Sequence, residues 1–260
     1  MAATERLEIP AERLAALRRY NIVAGVAHAL QAVAVVALAN GFSLPVTASY
    51  IQGPPGTADY EQVVLFETPL AWGVALFFAI SALAHLWIAS PAGFARYGRD
   101  LAEQRNVARW VEYSISSSVM IVLIAQINSV TDALTLLALF AVNASMILFG
   151  WLQEKYEVPG RRGWLPFVFG CFAGAVPWIA FAFLLLRPGS TSDATVPGFV
   201  YGIVFSLFLF FNVFALNQWL QYRQAGRWRD YLVGERAYIT LSLVAKSLLA
   251  WQVFAGTLAA

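Results

Sequence analysis

Cysteine occurs once in this chain, at position 171, and histidine twice, at 28 and 85. One cysteine excludes an internal disulfide and a multi-cysteine metal site. Two histidines leave too few ligands for a dedicated structural zinc cluster. Charge is scarce as well. Lys, Arg, Asp and Glu make up 12% of the 260 residues, against 60% hydrophobic, which excludes an ordinary soluble globular domain. The first twenty residues are charged and lack the apolar core and small-residue cleavage site of a secretory leader. The first hydrophobic stretch is therefore expected to remain as a span.

What the chain does have is long apolar runs. Seven are long enough to cross about 30 Å of hydrocarbon: residues 21–39, 68–90, 103–128, 132–156, 164–186, 197–223 and 231–258. The reading is an all-α membrane protein, a seven-helix transmembrane bundle forming one domain over residues 1–260, with no internal repeat and no second soluble domain. Residues 40–65 form a long link rich in Gly, Pro, Ser and Thr, where two β-prone runs flank Pro54-Pro55-Gly56. A short β-hairpin is expected there. "SPAGFARYGRD" is expected to break span two, and Pro177 to bend span five.

The cations set an orientation. Of 17 Lys and Arg, 15 fall before span one or in the links between spans two and three, four and five, and six and seven. Arg187 alone lies on the other side, and Lys246 lies within the last span. The positive-inside rule then predicts a cell-membrane protein with a cytoplasmic N-terminus and an extracellular C-terminus.

Lys246 is the residue around which the rest is read. A lysine near the centre of a spanning helix costs roughly 2.5 kcal/mol or more. Snorkelling to the interface is the mundane alternative, but Arg236 lies ten residues before Lys246 and fourteen residues follow it. Glu112 is the one carboxylate that the pattern places well inside a span. Two partners are open to it: Arg109, one turn back, and Lys246 as a counter-ion. His28, His85 and Ser242 fall at similar depth, and Ser242 precedes Lys246 by four residues, on the same helix face. The histidines either bond within the bundle or join the lysine and glutamate in one polar pocket. Span three continues with Tyr113, Ser114, Ser116, Ser117 and Ser118, a small polar face that allows close helix approach or leaves room for a ligand. The aromatic residues of spans five and six, Trp178 and Phe211 among them, are expected mostly to face lipid or core.

A seventh-span lysine, a third-span carboxylate, "RWVEYSISSS" (residues 109–118) and "LSLVAKSLLAWQ" (residues 241–252) together resemble the heliorhodopsins, the inverted-topology retinal-binding rhodopsins. The resemblance covers essentially the whole chain. It implies all-trans retinal bound covalently to Lys246 as a Schiff base, with Glu112 as counter-ion and Ser242, His28 and His85 close by. It also implies a pocket that includes Trp110, Tyr113, Ser116, Met146, Gly150, Trp178, Phe211 and Gln218. The chain departs from the pumping rhodopsins at Ser242, where those carry an aspartate, and at Phe211, where a tryptophan is usual. The partners so implied are retinal, the lipid bilayer, a second copy in a homodimer and an unidentified cytoplasmic signalling protein; no nucleic acid, no metal and no catalytic residue is expected. Gly170 and Gly174 form a small-xxx-small pair that suggests helix association.

A carboxylate relay deep in the outer half of the spans is missing, so a light sensor that is not an ion pump is the expected function. The competing reading is a light-driven or passive ion transporter using Glu112, His28 and His85. An enzyme with Lys246 as amine nucleophile is not expected.

Overall fold

The computed structural model describes residues 6–193 and 195–258. Its helices are α1 (Ala11–Ala37), α2 (Leu70–Ala89), α3 (Pro91–Ala102), α4 (Val107–Ile127), α5 (Ala133–Tyr156), α6 (Leu165–Leu186), α7 (Gly198–Tyr222) and α8 (Tyr231–Val253). All but α3 are long and apolar enough to cross a membrane. They close into a ring: α1 packs on α2, then α4, α5, α6, α7 and α8 follow in turn, and α8 returns to α1. The exterior is apolar, with Phe172, Leu186 and Phe205 among the most exposed side chains. That is the surface a bilayer requires, since lipid tails favour no particular apolar face.

Helix starts follow capping chemistry. Asn106, Asp132 and Asp230 each accept a backbone N–H of the first turn, from Arg109, Thr135 and Leu232 at 3.0, 2.8 and 3.0 Å. Each such cap is worth about 1 kcal/mol. Two starts differ from the hydropathy reading. α1 begins at Ala11, directly after Pro10, where a helical pattern is expected to start. It runs ten residues ahead of the expected span because Leu14 and Leu17 extend its apolar stripe through the arginines and Leu17 is fully buried. α3 is a helix where a break is expected: Ser90 caps it through Gly93 N–H at 3.1 Å, Pro91 occupies its first turn, and Gly93, Tyr97 and Leu101 form its buried stripe. Low overall hydropathy hides such an amphipathic helix from any search for spans. α6 stays one helix through the buried Pro177.

The expected hairpin is longer than its loop suggests. Strands β1 (Ser43–Ile51) and β2 (Tyr60–Pro69) pair antiparallel from Ser43↔Pro69 to Ile51↔Tyr60, with an irregularity at Val46/Thr47 where Leu65 is the extra residue. Gly56 in the turn has φ +91°, a conformation that disfavours any side chain. Thr47 N–H donates to Thr131 O at 2.8 Å, which fastens the hairpin to the α4–α5 link.

Candidate functional site

At the centre of the ring, Lys246 on α8 donates from Nζ to Glu112 Oε1 on α4 at 2.8 Å and to Ser242 Oγ at 3.0 Å. All three are buried, with 3%, 6% and 2% of their surface exposed. Of the two partners open to Glu112, the ion pair is with Lys246. Ser81 on α2 adds a hydroxyl 2.7 Å from the same Oε1 and 2.9 Å from Phe77 O, so its single proton serves one acceptor at a time. The Lys246 ammonium also sits 5.2 Å from the centroid of the Tyr113 ring, a cation–π contact.

His28 and His85 lie beside this pair as stacked rings 5.6 Å apart, both buried. His85 Nδ1 is 2.7 Å from Asn21 Oδ1. Neither ring nitrogen of His28 has a protein partner, nor has His85 Nε2. Buried polar atoms of this kind are commonly served by ordered water.

On the other side of Lys246 the site is apolar. A space of about 400 Å³ is walled by Lys246, Ser242, Tyr113, Met146 and Phe211. Tyr113, Met146 and Phe211 also wall a second space of about 880 Å³, partly open at the protein surface, which reaches Trp110, Gly150, Trp178 and Gln218. Together they form a slot leading from the amine out between α5, α6 and α7. Trp178 meets Phe211 edge-on at 5.3 Å. Gln218 is held by donating Nε2–H to Gly150 O at 2.9 Å. Gly150 is needed where it is, because a Cβ there would come within 2.5 Å of the Trp110 ring. Of the residues anticipated for this pocket, Ser116 alone lines neither space; it is fully buried one turn beyond Glu112, beside that carboxylate.

A second charged cluster lies toward the arginine-rich end. Arg109 ion-pairs with both Glu154 of α5 and Glu235 of α8, and all three are buried. Asn106 N–H and Trp110 Nε1–H donate to Glu154 Oε2 at 3.1 and 2.5 Å, and Tyr231 Oη–H donates to Glu154 Oε1 at 3.1 Å. Tyr97 Oη–H and Asn106 Nδ2–H donate to Glu235 Oε1 at 2.9 and 2.8 Å. Burial, and the Glu235 carboxylate beside it, push the Tyr97 phenol well above its ordinary value. Glu112 is thus not the one carboxylate buried in the bundle. Glu154 and Glu235 escape the hydropathy pattern because they sit near helix ends among residues that read as interface. Ser81 and Asn21 were missed too; the available signal for Ser81 is its place four residues before His85, on the same face of α2.

The Gly170 and Gly174 pair turns inward. A Cβ at Gly170 would touch Met146 O and Phe149 Cβ at 3.4 Å, and one at Gly174 would meet Met146 Sδ at 2.5 Å. The motif serves close packing of α6 on α5 within the chain, so it offers no support for association between copies.

The model of one protein family, heliorhodopsin, matches residues 17–258, which include every residue of this site. The chain belongs to the heliorhodopsin family. Heliorhodopsins are retinal-binding photoreceptors rather than enzymes, and this one is a multi-pass membrane protein. No group of three metal-ligating side chains stands together among its described residues. Among solved structures, the heliorhodopsin chain is similar to the transmembrane domain and linker region of a rhodopsin phosphodiesterase from Salpingoeca rosetta. The TM-score is 0.64 at 14% identity, covering 92% of this chain and 70% of that one. At that identity the likeness concerns the fold. A search among curated protein sequences found no match.

Proposed function

We propose that this heliorhodopsin is a light sensor in which Lys246 holds all-trans retinal covalently as a Schiff base and Glu112 is the counter-ion. The observation that carries the proposal is the buried Lys246–Glu112 pair, 2.8 Å apart, beside an apolar slot that Lys246 itself helps to wall. The residues suit the group: an amine and an anion at one end, and aromatic, methionine and glycine walls along the rest. Trp110, Tyr113, Met146, Gly150, Trp178, Phe211 and Gln218 would hold it. Bound retinal would supply visible absorption and a light-driven change of shape.

The chain's own groups do the remainder. Glu112 stabilises positive charge on the Lys246 nitrogen in a site where burial would otherwise favour its neutral form. Ser242 and Ser81 orient the nitrogen and the carboxylate by the hydrogen bonds given above. His28 and His85 offer imidazole nitrogens without protein partners as a place for a proton to move within the bundle. Arg109 stands three residues before Glu112 on α4, so a movement of α4 itself at Glu112 would carry to the ion cluster that ties α3, α4, α5 and α8 at the arginine-rich end. That cluster is the two-state element through which a signal would reach a cytoplasmic partner. The orientation with the N-terminus inside and the C-terminus outside rests on the distribution of cations. A homodimer rests on the family resemblance.

The deciding experiment is a visible spectrum after adding all-trans retinal to the purified protein, beside Lys246→Ala. A band that hydroxylamine bleaches and the mutant lacks supports the attachment. A colourless wild type, or an equally coloured mutant, overturns it. Glu112→Gln should then shift the band or lower the affinity of the Schiff base for its proton. A band that it leaves unchanged would remove the counter-ion role while keeping the attachment. Light-induced pH changes or currents from liposomes would favour the transporter reading over the sensor.

A further inference from the structure

α3 lies across the arginine-rich end of the bundle, and one of its faces is left uncovered. Gly93, Tyr97 and Leu101 turn toward the core, while Phe94, Gly98 and Arg99 line an open groove of about 700 Å³ together with Leu14 of α1 and Arg6. The floor is apolar and roomy. A Cβ on Gly98 would meet only Leu14 Cδ1, at 3.8 Å. Phe94 is held from the other side by the Arg18 guanidinium, 5.0 Å from its ring centroid. The N-terminal segment is pinned over the end of α3 by Leu7 N–H donating to Ala102 O at 2.8 Å, which fixes Arg6 beside the groove.

The charge at the rim is positive. Arg6 gives one hydrogen bond to Glu103 at 3.0 Å and stays largely exposed, and a guanidinium has further N–H donors to offer. Arg99 is exposed, and its guanidinium makes no hydrogen bond or ion pair among the described residues. The nearby carboxylates are engaged: Glu103 with Arg6 and Arg105, and Asp100 with Arg96 at 3.9 Å. An amphipathic helix that starts where an apolar span ends lies at headgroup depth. An apolar trough flanked by two exposed guanidiniums at that depth, one of them also paired with Glu103, is complementary to a phosphate joined to an acyl chain.

We propose that this groove seats an anionic phospholipid, its phosphate held by Arg6 and Arg99 and an acyl chain laid over Phe94 and Gly98. The proposal needs only the bundle and its bilayer and is independent of retinal.

The test is native mass spectrometry of the full-length protein in mixed micelles with equal amounts of phosphatidylglycerol and phosphatidylcholine of identical chains. The wild type should retain the anionic lipid over the zwitterionic one by about fivefold or more, and Arg99→Gln should lower that ratio by about fivefold. Arg227→Gln, an exposed cation on the α7–α8 link outside the groove, should leave it unchanged. Gly98→Leu, which fills the groove at constant charge, should reduce adducts of both lipids. A wild-type ratio near one overturns the proposal. So does an equal loss in Arg99→Gln and Arg227→Gln, which would mean diffuse attraction rather than a site. If Gly98→Leu does not elute as a single species, the comparison of the two arginine variants decides.

Discussion

The Glu112 carboxylate pairs with Lys246, 134 residues away along the chain and 2.8 Å away in space, although Arg109 stands one turn back on its own helix. Arg109 is engaged elsewhere, by Glu154 and Glu235. The bundle therefore holds two separate ionic systems, a neutral pair at its centre and a cation shared by two carboxylates near one end. Their separation shapes what each substitution should do.

For the central pair, removing one partner from the retinal-free protein leaves a buried charge without compensation. Lys246→Ala or Glu112→Ala alone should cost about 3–5 kcal/mol, whereas Lys246→Met with Glu112→Gln should fall within about 1 kcal/mol of the wild type. Denaturant unfolding in detergent, followed by circular dichroism, checks this. A double variant as unstable as either single one would mean that the residues contribute by packing rather than by charge.

The second system predicts a contrast between two arginines. Arg109→Gln strips two buried carboxylates of their cation and should destabilise by about 3 kcal/mol or more. Arg13 pairs with Asp230 where both side chains are more than a third exposed, so Arg13→Gln should cost no more than about 1 kcal/mol. Comparing their melting temperatures in one detergent tests it.

Gly150 should be intolerant of even a methyl group. The added Cβ would overlap the Trp110 ring, and overpacking of this kind costs about 1–3 kcal/mol. Displacing the indole also narrows the slot. Gly150→Ala should therefore yield a weaker visible band at a fixed retinal concentration, measured against total protein absorbance.

Tyr97 gives a pH signature at the membrane surface. Burial and Glu235 raise the phenol in the folded state, so the stability it contributes is complete below its unfolded value near 10 and is lost as pH rises beyond that. The wild type should lose thermal stability above about pH 10, and Tyr97→Phe should lose less over the same interval. At pH 7 the same variant should be weaker by about 1.5–3 kcal/mol, because a hydrogen bond to a carboxylate has gone. Thermal melts at pH 7, 9 and 11 separate the two effects.

Much of this architecture was legible in the residue order, because the bilayer imposes a local rule. About twenty apolar residues must run together for a helix to span, so seven spans and the arginine bias between them can be counted without knowing any contact. Lys246 and Glu112 stood out for the same reason, as charges where charge is expensive. Turn chemistry around Pro54-Pro55-Gly56 announced the hairpin, though not its length, since strand pairing is fixed between segments rather than within one.

Other features were decided only when the helices came together. The choice of Lys246 over Arg109 as partner of Glu112 depends on how α4 and α8 are rotated toward one another. The burial of Glu154 and Glu235 depends on α5 and α8 closing over Arg109. Gly170 and Gly174 read as an association motif until α5 is placed against them. Hydropathy records the cost of moving one residue out of water and is set by that residue alone. An ion pair, a cavity wall or a groove is a relation between surfaces, and in this chain it exists only once the ring from α1 to α8 has closed.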